Sequence, residues 1–105
     1  MSSYTLRPRA EQDLFEHEEY LATTASPEIA GRFLDAFEAA VELLSAHPEM
    51  GPSREYRRPE LAGQRMFPVR GFEKYLVFYV PTAGGVEVTR VLYATRNIRA
   101  LFEAD

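Results

Sequence analysis

The sequence predicts an α+β domain in which an antiparallel helical hairpin packs on an antiparallel sheet of about four strands. Two long stretches in the first half place apolar residues at helical spacing. Between residues 64 and 95, three apolar runs rich in β-branched and aromatic residues alternate with short spacers that contain glycine. Such runs and spacers are typical of neighbouring antiparallel strands that are joined by hairpins.

The first predicted element is a short strand over residues 4–6, and a helix over residues 9–23 follows it. Pro8 lies just inside the helix start, where its missing amide costs no hydrogen bond. The spacing leaves open whether a histidine or a tyrosine faces the core in the middle of this helix. Its predicted apolar stripe is Ala10, Leu14, His17 or Tyr20, and Leu21.

The second predicted helix begins at Pro27, with Ser26 as its N-cap, and ends near Ala46 because His47 and Pro48 follow. The link between the helices is short, so we expect them to be antiparallel neighbours. We interpret His47 as a residue that caps the helix C-terminus and not as a catalytic one. The predicted core-facing stripe is Ala30, Phe33, Leu34, Phe37, Ala40, Val41 and Leu44.

Residues 48–63 contain several prolines and glycines and are predicted to form a loop. The loop carries a basic cluster, Arg54, Arg57 and Arg58, around Tyr56. Basic side chains beside an aromatic ring can bind single-stranded nucleic acid. The chain as a whole has a net charge of -4, however, so we expect no direct sequence-specific binding to nucleic acid.

The spacers 70–74 and 81–85 are predicted to be hairpins with glycine at positive φ. The run over residues 75–80 is apolar at every position, which indicates a central strand that is covered on both faces. Two helices cover one face, so the other needs a protein partner or a C-terminal tail, for which residues 96–102 have a helical pattern. The strands themselves are predicted over residues 65–69, 75–80 and 86–93. In the last strand, strict alternation would place Val86, Val88 and Leu92 on one face and Val91 and Tyr93 on the other.

Composition limits the chemistry of the protein. Its 105 residues are predicted to form one domain over residues 1–105. With no cysteine and two histidines, we expect no disulfide, no metal site and no cofactor. No run reaches the roughly 18 apolar residues of a membrane span, and the N-terminus lacks a signal-peptide pattern. We therefore expect a cytoplasmic protein with no membrane partner.

Charge is distributed unevenly along the chain. Residues 1–52 carry 3 basic and 10 acidic side chains, whereas residues 53–105 carry 9 basic and 6 acidic ones. Lys74 is the one lysine, and arginine favours forked contacts with carboxylates or phosphates. Arg65 and Arg90 lie among apolar strand residues. We expect each to be paired, with an acidic side chain or with carbonyl groups at the sheet edge, and to serve structure more than chemistry.

An ordered set of short motifs spans nearly the whole chain. The helical half contains Leu6-x-Pro8-x-Ala10-x-x-Asp13-Leu14, Tyr20, Ala30, Phe33, Leu44 and His47-Pro48-x-x-Gly51. The sheet half contains Glu60-Leu61-x-Gly63-x-Arg65-x-Phe67-Pro68-Val69, Tyr75-Leu76-Val77-Phe78-Tyr79 and Val88-x-Arg90-Val91-Leu92-x-x-x-Arg96. In this set the chain resembles the ParE branch of the RelE/ParE superfamily, the toxins of bacterial type II toxin-antitoxin pairs.

The resemblance implies a toxin that poisons DNA gyrase and is neutralised by a cognate ParD-like antitoxin. RelE-like members of the superfamily instead cut ribosome-bound messenger RNA without a metal, with basic residues on the second and third strands and an arginine and an aromatic hydroxyl near the C-terminus. Here Arg96 matches, but Asn97 departs from the acidic residue expected after it. At the other positions this chain has Met66, Pro68, Leu76 and Phe102. We therefore expect gyrase inhibition, with RNA cleavage as the alternative and a non-toxic binding module of the same fold as a third possibility.

The predicted binding site is a groove beside the third and fourth strands that accepts an antitoxin segment with apolar anchors and acidic flanks. Its predicted basic rim is formed by Arg70, Arg90, Arg96 and Arg99. No catalytic residue is predicted, except Arg96 if the protein is a ribonuclease. The candidates for contact with the antitoxin or the target are Arg70, Tyr79, Arg90, Arg96, Arg99 and Phe102. The residues predicted to be structural are Arg65, Phe33, Phe37 and Tyr75.

Overall fold

The computed structural model of the protein describes residues 3–53 and 63–94. The elements follow the predicted order of strand, helical hairpin and three further strands. The predicted tail, with Arg96, Arg99 and Phe102, and the basic cluster of the loop lie outside the described residues. The elements are β1 (Ser3–Leu6), α1 (Pro8–Thr24), α2 (Pro27–Ala46), β2 (Arg65–Val69), β3 (Phe72–Thr82) and β4 (Gly85–Tyr93).

Both helices begin as the sequence predicts. Pro8 and Pro27 occupy first-turn positions, and the Ser26 hydroxyl accepts a hydrogen bond from the backbone N–H of Ile29 at 3.1 Å. The structure also decides which ring of α1 faces the core: His17 is partly buried, whereas Tyr20 is 60% exposed. His47 is the C-cap of α2, and its backbone N–H donates to the carbonyls of Leu43 and Leu44.

The four strands form one sheet in the order β1-β4-β3-β2. β2, β3 and β4 are antiparallel neighbours, but β1 pairs with β4 in parallel, from Ser3 opposite Gly85 to Leu6 opposite Val88. The sheet is therefore mixed and not antiparallel throughout. Strands joined by a tight turn must be antiparallel, whereas no such constraint acts on β1 because two helices and two strands separate it from its partner.

The two hairpins differ from the prediction in their use of glycine. Gly71 has φ 84° in the turn between β2 and β3, and residues 72–74 belong to β3 and not to the spacer. In the second hairpin neither glycine has a positive φ. Gly85 is instead needed for close approach, because a Cβ atom there would lie 1.7 Å from the carbonyl oxygen of Ser3.

A β-bulge at Thr89 changes the faces of β4. Phe78 pairs with Arg90 and Tyr79 pairs with Val88, so Thr89 is an extra residue on β4. Its hydroxyl donates to the carbonyl of Phe78 at 3.1 Å and also bonds the side chain of Gln64. Because the bulge shifts the alternation by one residue, Val91 joins the helix-facing valines and Leu92 lies on the opposite face, which corrects the strict alternation predicted for this strand.

Each face of the sheet carries a cluster of buried side chains. The larger cluster lies under the helices and includes Phe33, Phe37 and Tyr75. The smaller cluster lies on the opposite face and contains Leu76, Phe78 and Ala94, with Met66 and Leu92 packed against it. Its three central members are buried in the single chain. The chain itself therefore covers these three residues, and of the two predicted alternatives the one in which a protein partner covers them is wrong.

Candidate functional site

Asp13 and Arg90 form a partly buried ion pair between α1 and β4. Nε and Nη2 of Arg90 donate to the two carboxylate oxygens of Asp13 at 2.7 and 3.2 Å, and the side chains are 13% and 5% exposed. A forked geometry of this kind is the strong form of an arginine–carboxylate contact. Arg90 is thus engaged within the protein, which removes it from the predicted basic rim of the binding groove.

Two side chains of α1 also replace a neighbouring strand beside β4. β1 pairs with β4 from Gly85 to Val88. Beyond that point, the backbone groups of Val91 form hydrogen bonds with side chains of α1 instead of with a strand. The N–H of Val91 donates to Asp13 at 3.0 Å, and Nε2 of His17 donates to the carbonyl of Val91 at 2.8 Å. Asp13 and His17 are four residues apart and therefore lie on one face of α1. Together they satisfy a strand edge that β1 is too short to reach.

The loop after α2 is held by Tyr79 and Arg65. The Tyr79 hydroxyl donates to the carbonyl of Pro48 at 2.8 Å and accepts from the N–H of Gly51 at 2.9 Å. Nη1 of Arg65 donates to the carbonyls of Glu49 and Gly51 at 3.2 and 2.6 Å. A Cβ atom at Gly51 would lie 2.6 Å from the carbonyl oxygen of Met66, so the loop approaches the sheet too closely for a side chain there.

Tyr79 is therefore placed differently from the prediction that it contacts the antitoxin or the target. Its side chain is fully buried, and its hydroxyl is occupied as both donor and acceptor. Burial raises the pKa of Tyr79, although the hydrogen bond from Gly51 and the charge of Arg65 oppose this. Its position is that of a core residue that holds a loop.

Arg70 lies at the rim of an open groove between α2 and the edge strand β2. The groove has a volume of about 360 Å³, and Leu43 in its wall is 42% exposed. Two residues of opposite charge, Arg70 and Glu73, lie at its margin. The lining residues are Ala36, Ala39, Ala40, Leu43, Phe67, Pro68, Arg70 and Glu73. The groove is on the helix side of the sheet, so Arg70 does not flank the predicted groove on the opposite face.

An aromatic cluster lies where β3 begins and β4 ends. The Tyr75 ring is 4.8 Å from the rings of Phe33 and Tyr93 and 5.0 Å from His17, measured between centroids. Burial raises the pKa of Tyr75, and the neighbouring phenols of Tyr93 and Tyr20 raise it further. Tyr20 and Tyr93 are largely exposed, so one side of this cluster is accessible.

The strand positions that correspond to the basic residues of RelE-like ribonucleases lie in an apolar environment. Leu76 is 3% exposed, and Met66 packs against the same small cluster. Pro68 has neither a side-chain charge nor an N–H. These positions therefore supply no proton acceptor and no cation for phosphate.

Sequence reasoning did not identify the roles of Asp13 and His17. A signal was present, because Asp13 falls three residues after Ala10 on the core-facing stripe of α1, and a carboxylate on such a stripe requires a partner. In residues 3–53 and 63–94 no group of three histidine or acidic side chains could hold a metal ion. Within the same residues, neither helix is long and apolar enough to cross a membrane.

A helical hairpin on a four-stranded sheet is the fold class that the resemblance to the RelE/ParE superfamily implies. A family model described as the ParE toxin of the type II toxin-antitoxin system parDE matches residues 4–98. The chain belongs to this family of ParE toxins. A solved structure titled "Chromosomal ParDE TA system from P. aeruginosa" has the same fold, with a TM-score of 0.72 and 17% identity over 90% of this chain and 98% of that chain. Among curated proteins, no sequence matches significantly.

Proposed function

We propose that this ParE toxin acts in the cytoplasm by binding and inhibiting DNA gyrase, and that a ParD-like antitoxin neutralises it. The family match supports the toxin role, and the environment of Met66, Pro68 and Leu76 supports inhibition over RNA cleavage. A metal-free ribonuclease needs a base to activate the 2'-hydroxyl and cations to stabilise the phosphate charge. The apolar side chains at these three positions provide neither.

The antitoxin contact is best placed in the groove between α2 and β2. The groove on the opposite face, predicted from the sequence, is a weaker candidate because Leu76 and Phe78 are already buried and Arg90 is paired with Asp13. The α2–β2 groove has an open apolar floor, with Leu43 exposed and Arg70 at the rim. An antitoxin helix with apolar anchors and an acidic flank would fit this chemistry.

Two assays, one on the purified protein and one on cells in which it is induced, distinguish the target. In a supercoiling assay we expect inhibition of gyrase that is relieved by the antitoxin. In primer extension on message from induced cells we expect no codon-specific cuts within the ribosomal A site. Such cuts, with supercoiling unaffected, would identify a RelE-type ribonuclease, and normal growth on induction with neither effect would identify a non-toxic binding module.

A Met66→Lys/Leu76→Lys variant provides a further comparison if it folds, which circular dichroism would establish. We expect no gain of RNA cleavage from this variant, because position 76 is buried and position 66 packs against the same apolar cluster, so the lysines would not be presented to a substrate. An exposed Glu19→Lys variant controls for the effect of added positive charge on nucleic-acid binding.

A further inference from the structure

The strand edges of the sheet are protected unequally. On the outer edge of β2, the N–H of Met66 donates to the carbonyl of Pro52 at 3.3 Å, and Ser53 bridges to Arg65. Pro68, two residues after Met66, occupies the next outward position and has no N–H to offer. The part of β4 that β1 does not reach is covered by Asp13 and His17. Proline and covering side chains are devices that prevent a further strand from pairing with an edge.

The outer edge of β1 lacks these devices. The N–H of Arg7 donates to the carbonyl of Val88 at 2.9 Å, so odd-numbered residues of this segment direct their backbone groups to β4. The backbone groups of Tyr4 and Leu6 therefore point away from the sheet. Among the described residues, no backbone group pairs with them on that side. β1 itself contains no proline and no charged side chain.

The surface beside this edge is acidic. Tyr4 packs against the core cluster that contains Phe37 and Val41 of α2, and Glu38 and Glu42 directly follow these two residues. Burial raises the pKa of Tyr4, and the two carboxylates raise it further, in keeping with this placement. The two side chains are one turn apart on α2 and belong to exposed residues. A strand added outside β1 would place alternate side chains beside them. Lysine or arginine is favoured there, whereas aspartate or glutamate is repelled.

We propose that the outer edge of β1 accepts an extended segment of a protein partner by strand addition, and that this segment carries lysine or arginine at the alternate positions facing α2. A second copy of this chain is a poor occupant. Antiparallel pairing of two β1 strands would bring Glu38 and Glu42 of both copies to the same junction, where like charges oppose each other. The proposal goes beyond gyrase inhibition and does not depend on it.

Peptide probes test the proposal directly. The probe is a blocked eight-residue peptide that alternates lysine and valine, and its counterpart alternates glutamate and valine. Titration calorimetry should detect binding of the lysine peptide and no binding of the glutamate peptide, and the affinity should fall with added salt. Amide hydrogen exchange should show new protection at Tyr4 and Leu6 in the complex, with Thr5 unchanged because its N–H already faces β4.

Charge-reversal variants provide the matched comparison. Glu38→Lys/Glu42→Lys should weaken binding of the lysine peptide by about tenfold or more, on the scale of two exposed ion pairs. Glu16→Lys/Glu19→Lys makes the same change in net charge on exposed positions of α1 and should weaken it far less.

Several results would overturn the proposal. The two peptides could bind equally well, or the two double variants could lose the same affinity for the lysine peptide. The peptide could also protect amide groups from hydrogen exchange on the β2 side of the sheet instead of in β1. Sedimentation of the free protein as a dimer with Tyr4 and Leu6 already protected would assign the edge to a second copy. None of these readouts involves gyrase or an antitoxin, so failure here is distinct from failure of the proposed function.

Discussion

Asp13 is the residue at which the contacts between α1 and the sheet converge. One carboxylate binds the guanidinium of Arg90 and the N–H of Val91, and Arg9 approaches it at 3.7 Å. The pair is largely removed from water, so the loss of either partner leaves a desolvated charge or an unsatisfied backbone group. Removing either partner of this ion pair should therefore destabilise the protein more than removing a partner of an exposed ion pair.

Replacing Arg90 by alanine should destabilise the protein by about 2–3 kcal/mol, because the Asp13 carboxylate loses its forked partner. For a domain of this size that corresponds to a fall in Tm of roughly 10 °C, measured by thermal unfolding. Arg90→Lys should destabilise the protein less than Arg90→Ala does, because an ammonium keeps the positive charge but cannot form both hydrogen bonds. Arg7→Ala is the control: its pair with Glu87 is exposed and should contribute less than about 1 kcal/mol. Unchanged Tm for Arg90→Ala with lost toxicity would instead place this residue on the target surface.

Tyr79→Phe removes one hydroxyl and leaves the carbonyl of Pro48 and the N–H of Gly51 without their partner. We expect a cost of about 1–3 kcal/mol in urea unfolding and faster hydrogen exchange at Gly51. Tyr20→Phe, at an exposed position, should change stability by less than about 0.5 kcal/mol. Equal stability of the two variants would show that the Tyr79 hydroxyl does not hold the loop.

Tyr75 and Tyr79 make the stability of the folded protein depend on pH in the alkaline range. The pKa values of both are raised in the folded protein, chiefly by burial, above the ordinary tyrosine value of 10.0. The unfolded chain thus loses these protons first, so their contribution is fully present below pH 10 and is lost as pH rises through the folded values. Tm should fall above about pH 10. Tyr79→Phe should show a smaller fall over the same range, and a flat profile for the native protein would contradict the assignment.

At the scale of elements, two glycines illustrate opposite constraints. Gly85 lets β1 approach β4, whereas Gly31 is exposed in the second turn of α2 with nothing within 4 Å of the position a Cβ would take. Both are glycines in regular structure, yet one is required by tertiary contact and the other is not. The difference depends on what packs against each position and is invisible in the local sequence.

Gly85→Ala should cost about 1–3 kcal/mol and release β1, because its Cβ would overlap the backbone of Ser3. Hydrogen exchange at Thr5, whose N–H faces β4, should accelerate. Gly31→Ala should instead stabilise the protein by about 0.5–1 kcal/mol, since alanine has the higher helix propensity. Gly84→Ala, where the new Cβ makes an ordinary 3.9 Å contact, should be nearly neutral, and an equal loss at both positions of this turn would contradict the account.

At the scale of the whole molecule, we predict that the antitoxin binds in the open groove between α2 and β2. Leu43→Asp should leave the Tm of the free toxin nearly unchanged, because Leu43 is 42% exposed, but should reduce the rise in Tm that the antitoxin produces. A ligand at 100 times its Kd stabilises by about 2.7 kcal/mol, so even a tenfold loss of affinity is measurable. Tyr20→Asp on α1 is the control. If it reduces the rise in Tm as much as Leu43→Asp does, or if protection by the antitoxin is confined to β3 and β4, the groove is not the docking site.

The elements of this protein could be predicted from sequence because their signals are local. Ser26 with Pro27 starts α2, and Pro48 follows its end, and these rules act over a few residues. The apolar run at residues 75–80 likewise identified the central strand. The candidate binding residues were less predictable. Tyr79 was predicted as a binding candidate but is engaged inside the protein. Arg90 was predicted both as a binding candidate and as a paired structural residue, and the structure confirms the pairing.

The α+β class, the helical hairpin, the neighbouring hairpin strands and the family resemblance could all be predicted from the sequence. Periodicity, caps and turns decide those features over short spans of chain. Tertiary structure alone decided the parallel pairing of β1, the bulge at Thr89, and the contact in which Asp13 meets Arg90, 77 residues away along the chain. Such contacts depend on which backbone groups are left unsatisfied once the strands have paired, and no local pattern records that outcome.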